Sequence, residues 1–132
     1  MGKLAPPLAF AEGAAVPLGG VPHVIRHDPA RRTSRIEEGA LVMGGDEAGL
    51  ARRVERLLRA EALRRIAPRV AEHAAALEVR PAAVRVKDTR SRWGSCAPDR
   101  TLSFTWRLVM APDWVLDYVV AHEVAHLREM NH

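Results

Sequence analysis

The sequence predicts a small α+β domain, and three observations along the chain indicate this class. The stretch up to Gly45 is rich in glycine and proline between short apolar pieces, which favours strands and turns. A long run with apolar residues at three- and four-residue steps follows, and it predicts an amphipathic helix. The remainder combines a predicted hairpin with a second helix. At 132 residues the chain is expected to form one domain, with a strand-rich part at 1–45 and the other elements at 46–132.

The first elements are expected to be short antiparallel strands, followed by the long helix. The apolar or alternating pieces at 22–27 and 40–43 have the composition of strands. The helical pattern begins at Asp46 and is carried by Leu50, Val54, Leu57, Leu58, Ala62 and Ile66. Because Pro68 has no backbone N–H to donate, we expect the helix to kink or restart there and to run on to about Leu77.

A β-hairpin is predicted after the long helix. Residues 84–87 alternate apolar and polar side chains at the strand period, and a polar, turn-like stretch occupies 88–95. A further strand is predicted at 102–108, and the segment 97–100 before it has the composition of a turn. The hairpin is therefore expected to be centred on that turn.

Composition and charge restrict the classes of protein to which the chain can belong. The net charge of +4 and the pI near 10.2 favour acidic or phosphate-bearing partners. Cys96 is the only cysteine, so no internal disulfide can form, and a reducing compartment is the simplest interpretation. The N-terminus does not resemble a signal peptide, and no apolar run is long enough to span a bilayer. We therefore expect a cytoplasmic protein without a membrane partner.

The last helix is predicted to carry a metal site. Pro112 suits its first position, and it should run to about Met130. His122 and His126 are four residues apart, which places both imidazoles on one helix face where they can share a metal ion. Glu123 flanks the pair and is the candidate general base. The opposite face is apolar and suits the core, with Leu116, Val120, Val124 and Leu127.

A catalytic zinc usually has three protein ligands, and the spacing offers two candidates for the third. Glu129 lies three residues after His126 on the same face, but a regular helix directs it along the axis. His132 can reach the metal only if the helix ends first, and Asn131 tolerates the left-handed conformation that commonly ends a helix. The spacing alone leaves both candidates open.

The last third of the chain closely resembles the YgjP-like family of zinc metallopeptidases. The resemblance is carried by Ser-Arg-Trp-Gly-Ser-Cys at 91–96, Trp-Arg-Leu at 106–108, Ala-Pro at 111–112, Asp-Tyr-Val-Val-Ala-His-Glu-Val-Ala-His-Leu at 117–127 and Asn-His at 131–132. It implies a small metallopeptidase-like domain, related in plan to SprT-like proteases, with zinc on His122, His126 and His132. The family typically has asparagine at the position of Thr105 and continues past the Asn-His pair, so the resemblance implies a chain truncated after His132.

The leading functional hypothesis is a zinc-dependent hydrolase acting on peptides or proteins. Zinc would lower the pKa of a bound water, and Glu123 would remove its proton as the water attacks a carbonyl. Arg92 and Tyr118 are candidates for contacting the substrate or stabilising the oxyanion. An extended peptide could pair with the edge of the predicted hairpin. The segment 92–95 either lines the cleft or forms a tight turn anchored by a packed tryptophan.

Two other functions remain open from the sequence. The same metal could serve hydrolysis of a nucleotide phosphoanhydride, with arginines holding the phosphates, although the chain has no glycine-rich phosphate loop. A non-catalytic module that binds zinc or nucleic acid would agree with the positive net charge. The sequence predicts neither the physiological substrate nor the oligomeric state.

Overall fold

The computed structural model describes residues 9–130 and has the predicted α+β class. Its elements in chain order are β1 (Ala15–Leu18), β2 (Val21–His27), β3 (Arg35–Glu37), β4 (Ala40–Met43), α1 (Leu50–Leu77), β5 (Ala83–Lys87), β6 (Gly94–Cys96), β7 (Thr101–Thr105), a 3₁₀ helix (Trp106–Met110) and α2 (Asp113–Met130). None of the described helices is both long enough and apolar enough to cross a membrane.

The four N-terminal strands form one sheet in the order β1-β2-β4-β3. The expected antiparallel pairing holds between β1 and β2 and between β3 and β4. However, β2 and β4 are parallel. The reason is that β3 lies on the far side of β4, so the chain reverses direction twice between β2 and β4.

The second sheet has the order β5-β7-β6 and contains a hairpin at the predicted turn, but its first strand, β6, includes Gly94 and Ser95 of the stretch 88–95 that was expected to be a turn. The strands β6 and β7 are antiparallel and are joined at 97–100, whereas β5 runs parallel to β7 on its other side. The prediction of a strand over 102–108 is wrong at its end, because residues 106–108 belong to the 3₁₀ helix. The Thr105 hydroxyl accepts a hydrogen bond from the Arg107 N–H at 3.3 Å, and this cap begins the 3₁₀ helix.

The long helix α1 spans 28 residues and continues across Pro68, so it does not restart there. It begins at Leu50 instead of near Asp46, because the Asp46 carboxylate accepts the Gly49 N–H at 3.0 Å and holds the preceding residues in a turn. The helix ends where Glu78 adopts a left-handed conformation, with φ of 56°. Its buried face forms the centre of the core.

The helix α2 packs its apolar side against this core, as the sequence predicts. Its fully or almost fully buried side chains include Leu116, Val120, Val124 and Leu127. An ion pair and a hydrogen bond attach the exposed side of α2 to α1: the Asp117 carboxylate contacts Arg69 Nη1 at 3.2 Å and His73 Nε2 at 2.9 Å. The buried apolar stripe and these two contacts together fix which face of α2 is directed to solvent.

Candidate metal centre

The two histidines of α2 converge on one point. Their Nε2 atoms are 3.2 Å apart, and their rings are perpendicular, with 89° between the planes. Two imidazoles that bind one tetrahedral zinc at about 2.05 Å would have nitrogens separated by about 3.3 Å. The spacing of His122 and His126 therefore fits a shared metal ion, as their four-residue separation on a helix predicts.

Glu123 lies on the inner side of this pair and is 7% exposed. Among residues 9–130 its carboxylate accepts no hydrogen bond, although a buried carboxylate ordinarily has a donor. Above it lies Gly94 of β6: a Cβ at that position would be 3.1 Å from Glu123 Cγ and 3.1 Å from Phe104 Cδ1. The absence of a side chain at position 94 therefore lets the strand pass directly over the carboxylate.

A cavity of about 480 Å³ opens between β6 and the end of α2. It is lined from the strand side by Arg92, Gly94, Ser95 and Cys96, and from the helix by Glu123, His126, Glu129 and Met130. Three predicted site residues, Arg92, Glu123 and His126, thus share one cavity. Within the segment 92–95, Arg92, Gly94 and Ser95 line the cavity, Trp93 packs against the core, and residues 94–96 form a strand.

Tyr118 lies outside this cavity lining. Its ring stacks on that of His122, with 6.2 Å between centroids and 20° between planes, and the residue is 66% exposed. A contact of its hydroxyl with the reacting groups stays a prediction.

The third ligand predicted from the resemblance, His132, lies outside the described residues, as does Asn131. The other candidate, Glu129, has its Oε2 3.7 Å from His126 Nδ1, which is the ring nitrogen that does not approach His122. Over the described range 9–130, no group of three or more His, Cys, Asp or Glu side chains is arranged to hold a metal ion. The described part of the site therefore supplies the histidine pair.

The strand β6 is an edge strand with free backbone groups. The Thr105 N–H donates to the Trp93 carbonyl at 3.0 Å, so Trp93 and Thr105 form a hydrogen-bonded pair. The next hydrogen-bonded pair is Ser95 with Ser103. Because antiparallel pairs alternate, the N–H and C=O groups of Gly94 and Cys96 point away from β7. Among residues 9–130, the backbone donors and acceptors of Gly94 and Cys96 at the border of the cleft therefore have no backbone partner.

The loop at 88–93, which carries Arg92, is held by two buried side chains, Thr105 at the end of β7 and Arg107 in the 3₁₀ helix. The hydroxyl of Thr105, a fully buried residue, donates to the Thr89 carbonyl at 2.9 Å. The Arg107 guanidinium donates to the same carbonyl at 3.2 Å and to the Asp88 carboxylate, and the latter contact lowers the pKa of Asp88. Position 105 therefore acts on this loop and not directly on the cleft.

Cys96 lines the cavity with its thiol 3.4 Å from Met130 Sδ. Burial raises the pKa of the thiol, and the nearby Glu123 carboxylate adds to this effect. A raised pKa disfavours the nucleophilic thiolate, as is typical of a cysteine that packs without reacting.

An α+β domain that packs a helix carrying paired histidines and a buried glutamate against the edge of a small sheet belongs to the class of small metallopeptidase-like domains. The profile of the family described as YgjP-like, metallopeptidase domain, matches residues 3–132, and the chain belongs to this family. The predicted resemblance is thereby confirmed, and the membership supports a hydrolase role. Neither the curated proteins nor the solved structures compared with the chain gave a match.

Proposed function

We propose that this protein is a zinc-dependent peptidase in which Glu123 is the general base. The observation that carries the proposal is the 3.2 Å separation of the Nε2 atoms of His122 and His126, with a buried glutamate next to them. These two histidines would hold the ion, and His132 is the proposed third ligand. Zinc held there acts as a Lewis acid and lowers the pKa of a bound water.

The proposed task of Glu123 is to take a proton from the attacking water and to deliver it to the leaving amine. Two features support this role. The carboxylate accepts no hydrogen bond from the residues of 9–130, so its oxygens are free to accept one from a water. Gly94 allows the substrate-binding edge to lie directly above it. The base and a peptide bound at that edge would therefore be close together.

Glu129 is proposed to orient His126 instead of binding the metal. Its carboxylate lies on the Nδ1 side of the ring, at 3.7 Å. A carboxylate near this nitrogen favours the tautomer that carries the proton on Nδ1 and leaves Nε2 free as a ligand. Similarly, the stacking of Tyr118 favours a part in orienting His122 over a direct contact with the oxyanion.

The proposed substrate is an extended peptide that pairs with the free edge of β6. Gly94 and Cys96 would supply the backbone hydrogen bonds, as in strand addition to a sheet. Arg92, which lines the same cavity, is placed to bind a substrate carboxylate or the oxyanion that develops during attack. Cytoplasmic location remains part of the proposal and rests on the single cysteine.

The first test compares metal content and peptide hydrolysis in four variants. Elemental analysis should find near one zinc per wild-type chain, a loss in His122→Ala and His132→Ala, and retention in Glu123→Gln. Hydrolysis of a casein-type substrate by Glu123→Gln should fall by about 10²- to 10⁴-fold, because the base is lost while its volume is kept. Glu72→Gln removes a carboxylate from an exposed position on α1 and should match the wild type.

Unchanged turnover in Glu123→Gln would contradict the assignment of the base. Zinc retained at full occupancy in His132→Ala would contradict the third ligand while leaving the histidine pair intact.

The two alternative functions make different predictions in the same samples. Phosphoanhydride hydrolysis draws support from the Arg92 cation in the cavity, and it predicts phosphate or pyrophosphate release from nucleoside triphosphates without peptide cleavage. A non-catalytic nucleic-acid module draws support from the net charge of +4. It predicts binding of DNA or RNA that weakens steeply with salt and no hydrolysis of either substrate class.

A further inference from the structure

A second cavity, of about 280 Å³, lies behind β6. It shares Arg92, Gly94 and Ser95 with the first cavity. Its other lining residues come from β5, β7 and the loop between β5 and β6, and they are Lys87, Thr89, Ser91, Ser103 and Phe104. The two cavities therefore lie on either side of the same edge strand.

The alternation of side chains along the strands gives this second cavity a polar wall. Gly94 faces Glu123 on α2, so its neighbour Ser95 faces the other side of the sheet. Ser103 is the cross-strand partner of Ser95 and shares that side. Two serine hydroxyls are thereby placed side by side, away from the catalytic groups.

The hydroxyl of Ser103 has an unusual environment. The residue is 7% exposed, yet within the described part of the chain its hydroxyl makes no hydrogen bond. The Ser103 Oγ keeps some exposed surface, unlike the buried unpartnered atoms Arg53 Nε and Trp106 Nε1, so a water, an ion or a ligand can reach it. The open side of Ser103 is the cavity, so the missing partner would enter from there.

The charges around the cavity favour an anion as that partner. Lys87 and Arg92 contribute two cations, and none of the lining residues is acidic. The neighbouring carboxylate of Asp88 is already bound to Arg107. Lys87 is also the only lysine between residues 9 and 130, in a chain whose other cations there are arginines. An ammonium is a compact charge with three donors, which suits a small oxyanion.

We propose that this cavity, the anion pocket, binds a phosphate-type oxyanion through Ser103, Ser95, Lys87 and Arg92. Such a group carries only acceptor oxygens and negative charge, which complements hydroxyl and cationic donors. Two sources share this chemistry: a free phosphate ion, or a phosphorylated side chain of a bound peptide. The second source rests on the proposed function, because a peptide paired with β6 would direct alternate side chains toward this face.

The direct test is titration of the full-length, metal-loaded protein with inorganic phosphate, followed by calorimetry. We expect saturable binding that weakens about tenfold or more in Lys87→Met and several-fold in Ser103→Ala, since each loses a donor to a charged acceptor. Arg52→Met removes the same charge from an exposed position on α1 and should bind phosphate like the wild type. Lys87 is exposed, so its variant is expected to fold.

Phosphate could also bind at the metal, and the variants separate the two sites. Equal affinity in wild type, Lys87→Met and Ser103→Ala would place the ion at the metal and overturn the proposal, as would no saturable binding in the wild type. None of these outcomes depends on turnover, so failure of the peptidase proposal would be seen separately.

A second arm distinguishes the two sources of the oxyanion. A phosphoserine peptide that binds more tightly than its serine counterpart, with the difference lost in Lys87→Met, would identify a substrate side chain. Equal binding of the two peptides, with phosphate still bound at the pocket, would identify the free ion.

Discussion

The two walls of the cleft are constructed differently. The helical wall is one regular element, α2, in which backbone hydrogen bonds every four residues fix the relative positions of His122, Glu123 and His126. The strand wall, β6, has three residues and pairs with β7, and the loop before it is held by the side chains of Thr105 and Arg107. The helical wall is rigid because of its own backbone hydrogen bonds, whereas the strand wall depends on contacts with residues that are distant in sequence.

This difference suits the two proposed tasks, metal binding on the helical wall and substrate binding on the strand wall. The proposed metal ligands and base need fixed mutual geometry, and a helix supplies it within five residues. The proposed substrate edge must instead leave backbone groups unpaired, so it cannot be in the interior of a sheet. The separation between the two walls then depends on how closely β6 can approach α2, which is controlled at Gly94.

The largest effect is expected from filling this contact point. Gly94→Val would force β6 away from α2, because even a single Cβ would lie 3.1 Å from Glu123 Cγ. A displacement of the substrate edge on the order of 1 Å can lower kcat/KM about 100-fold. We expect a fall of that size for valine and a smaller one for Gly94→Ala, measured on a peptide that the wild type cleaves. Overpacking should also lower the free energy of unfolding by about 1–3 kcal/mol.

A matched control separates misplacement from general destabilisation. Ala76→Val adds similar bulk on an exposed position of α1 and should leave kcat/KM unchanged. If Gly94→Val kept wild-type activity, the close approach of strand and helix would not matter for catalysis.

A moderate effect is expected from loosening the loop behind β6. Thr105→Val removes the hydroxyl that donates to Thr89, while keeping the shape of the buried side chain. The free energy of unfolding should fall by about 1–2 kcal/mol, because the Thr89 carbonyl keeps only its hydrogen bond from Arg107 and the Arg107 N–H loses its acceptor. Because the loop carries Arg92, we expect KM to rise more than kcat falls. Thr105→Ser restores the hydroxyl and should recover KM, whereas a purely volume-related role would be rescued by valine and not by serine.

The same contrast explains which parts of the molecule the sequence predicts. The helical wall follows from local spacing, so the convergence of His122 and His126 and the buried stripe of α2 are both found as predicted. The strand wall depends on contacts between residues far apart in sequence, such as Arg107 with Asp88. No periodicity encodes these contacts, and neither the role of Gly94 above Glu123 nor the pairing of Ser95 with Ser103 was predicted.

Some signals for the strand wall were nevertheless present. A glycine in a strand, such as Gly94 before the turn at 97–100, indicates that another group lies close to the backbone there. It does not indicate which group that is. The strand predicted over 102–108 is too long because most of its last residues are apolar. The strand ends at Thr105, whose hydroxyl accepts a hydrogen bond from the Arg107 N–H. The parallel pairing of β5 with β7 is also not predictable from the alternation of apolar and polar side chains alone.

The smallest effect is expected where the helical wall is attached to α1. The hydrogen bond from His73 and then the Arg69 guanidinium lower the pKa of Asp117 below its usual value near 3.8. A carboxyl with a depressed pKa in the folded state contributes stability above its unfolded pKa, and this contribution is lost as the pH falls through the folded pKa. The advantage of wild type over Asp117→Asn in the free energy of unfolding should therefore be constant near neutral pH and decline below about pH 4. Chemical denaturation at several pH values measures this difference, with Glu72→Gln as the control that removes an exposed carboxylate from α1. A difference that persisted unchanged to pH 2 would mean that the attachment of α2 to α1 is not electrostatic, and that both walls depend on packing alone.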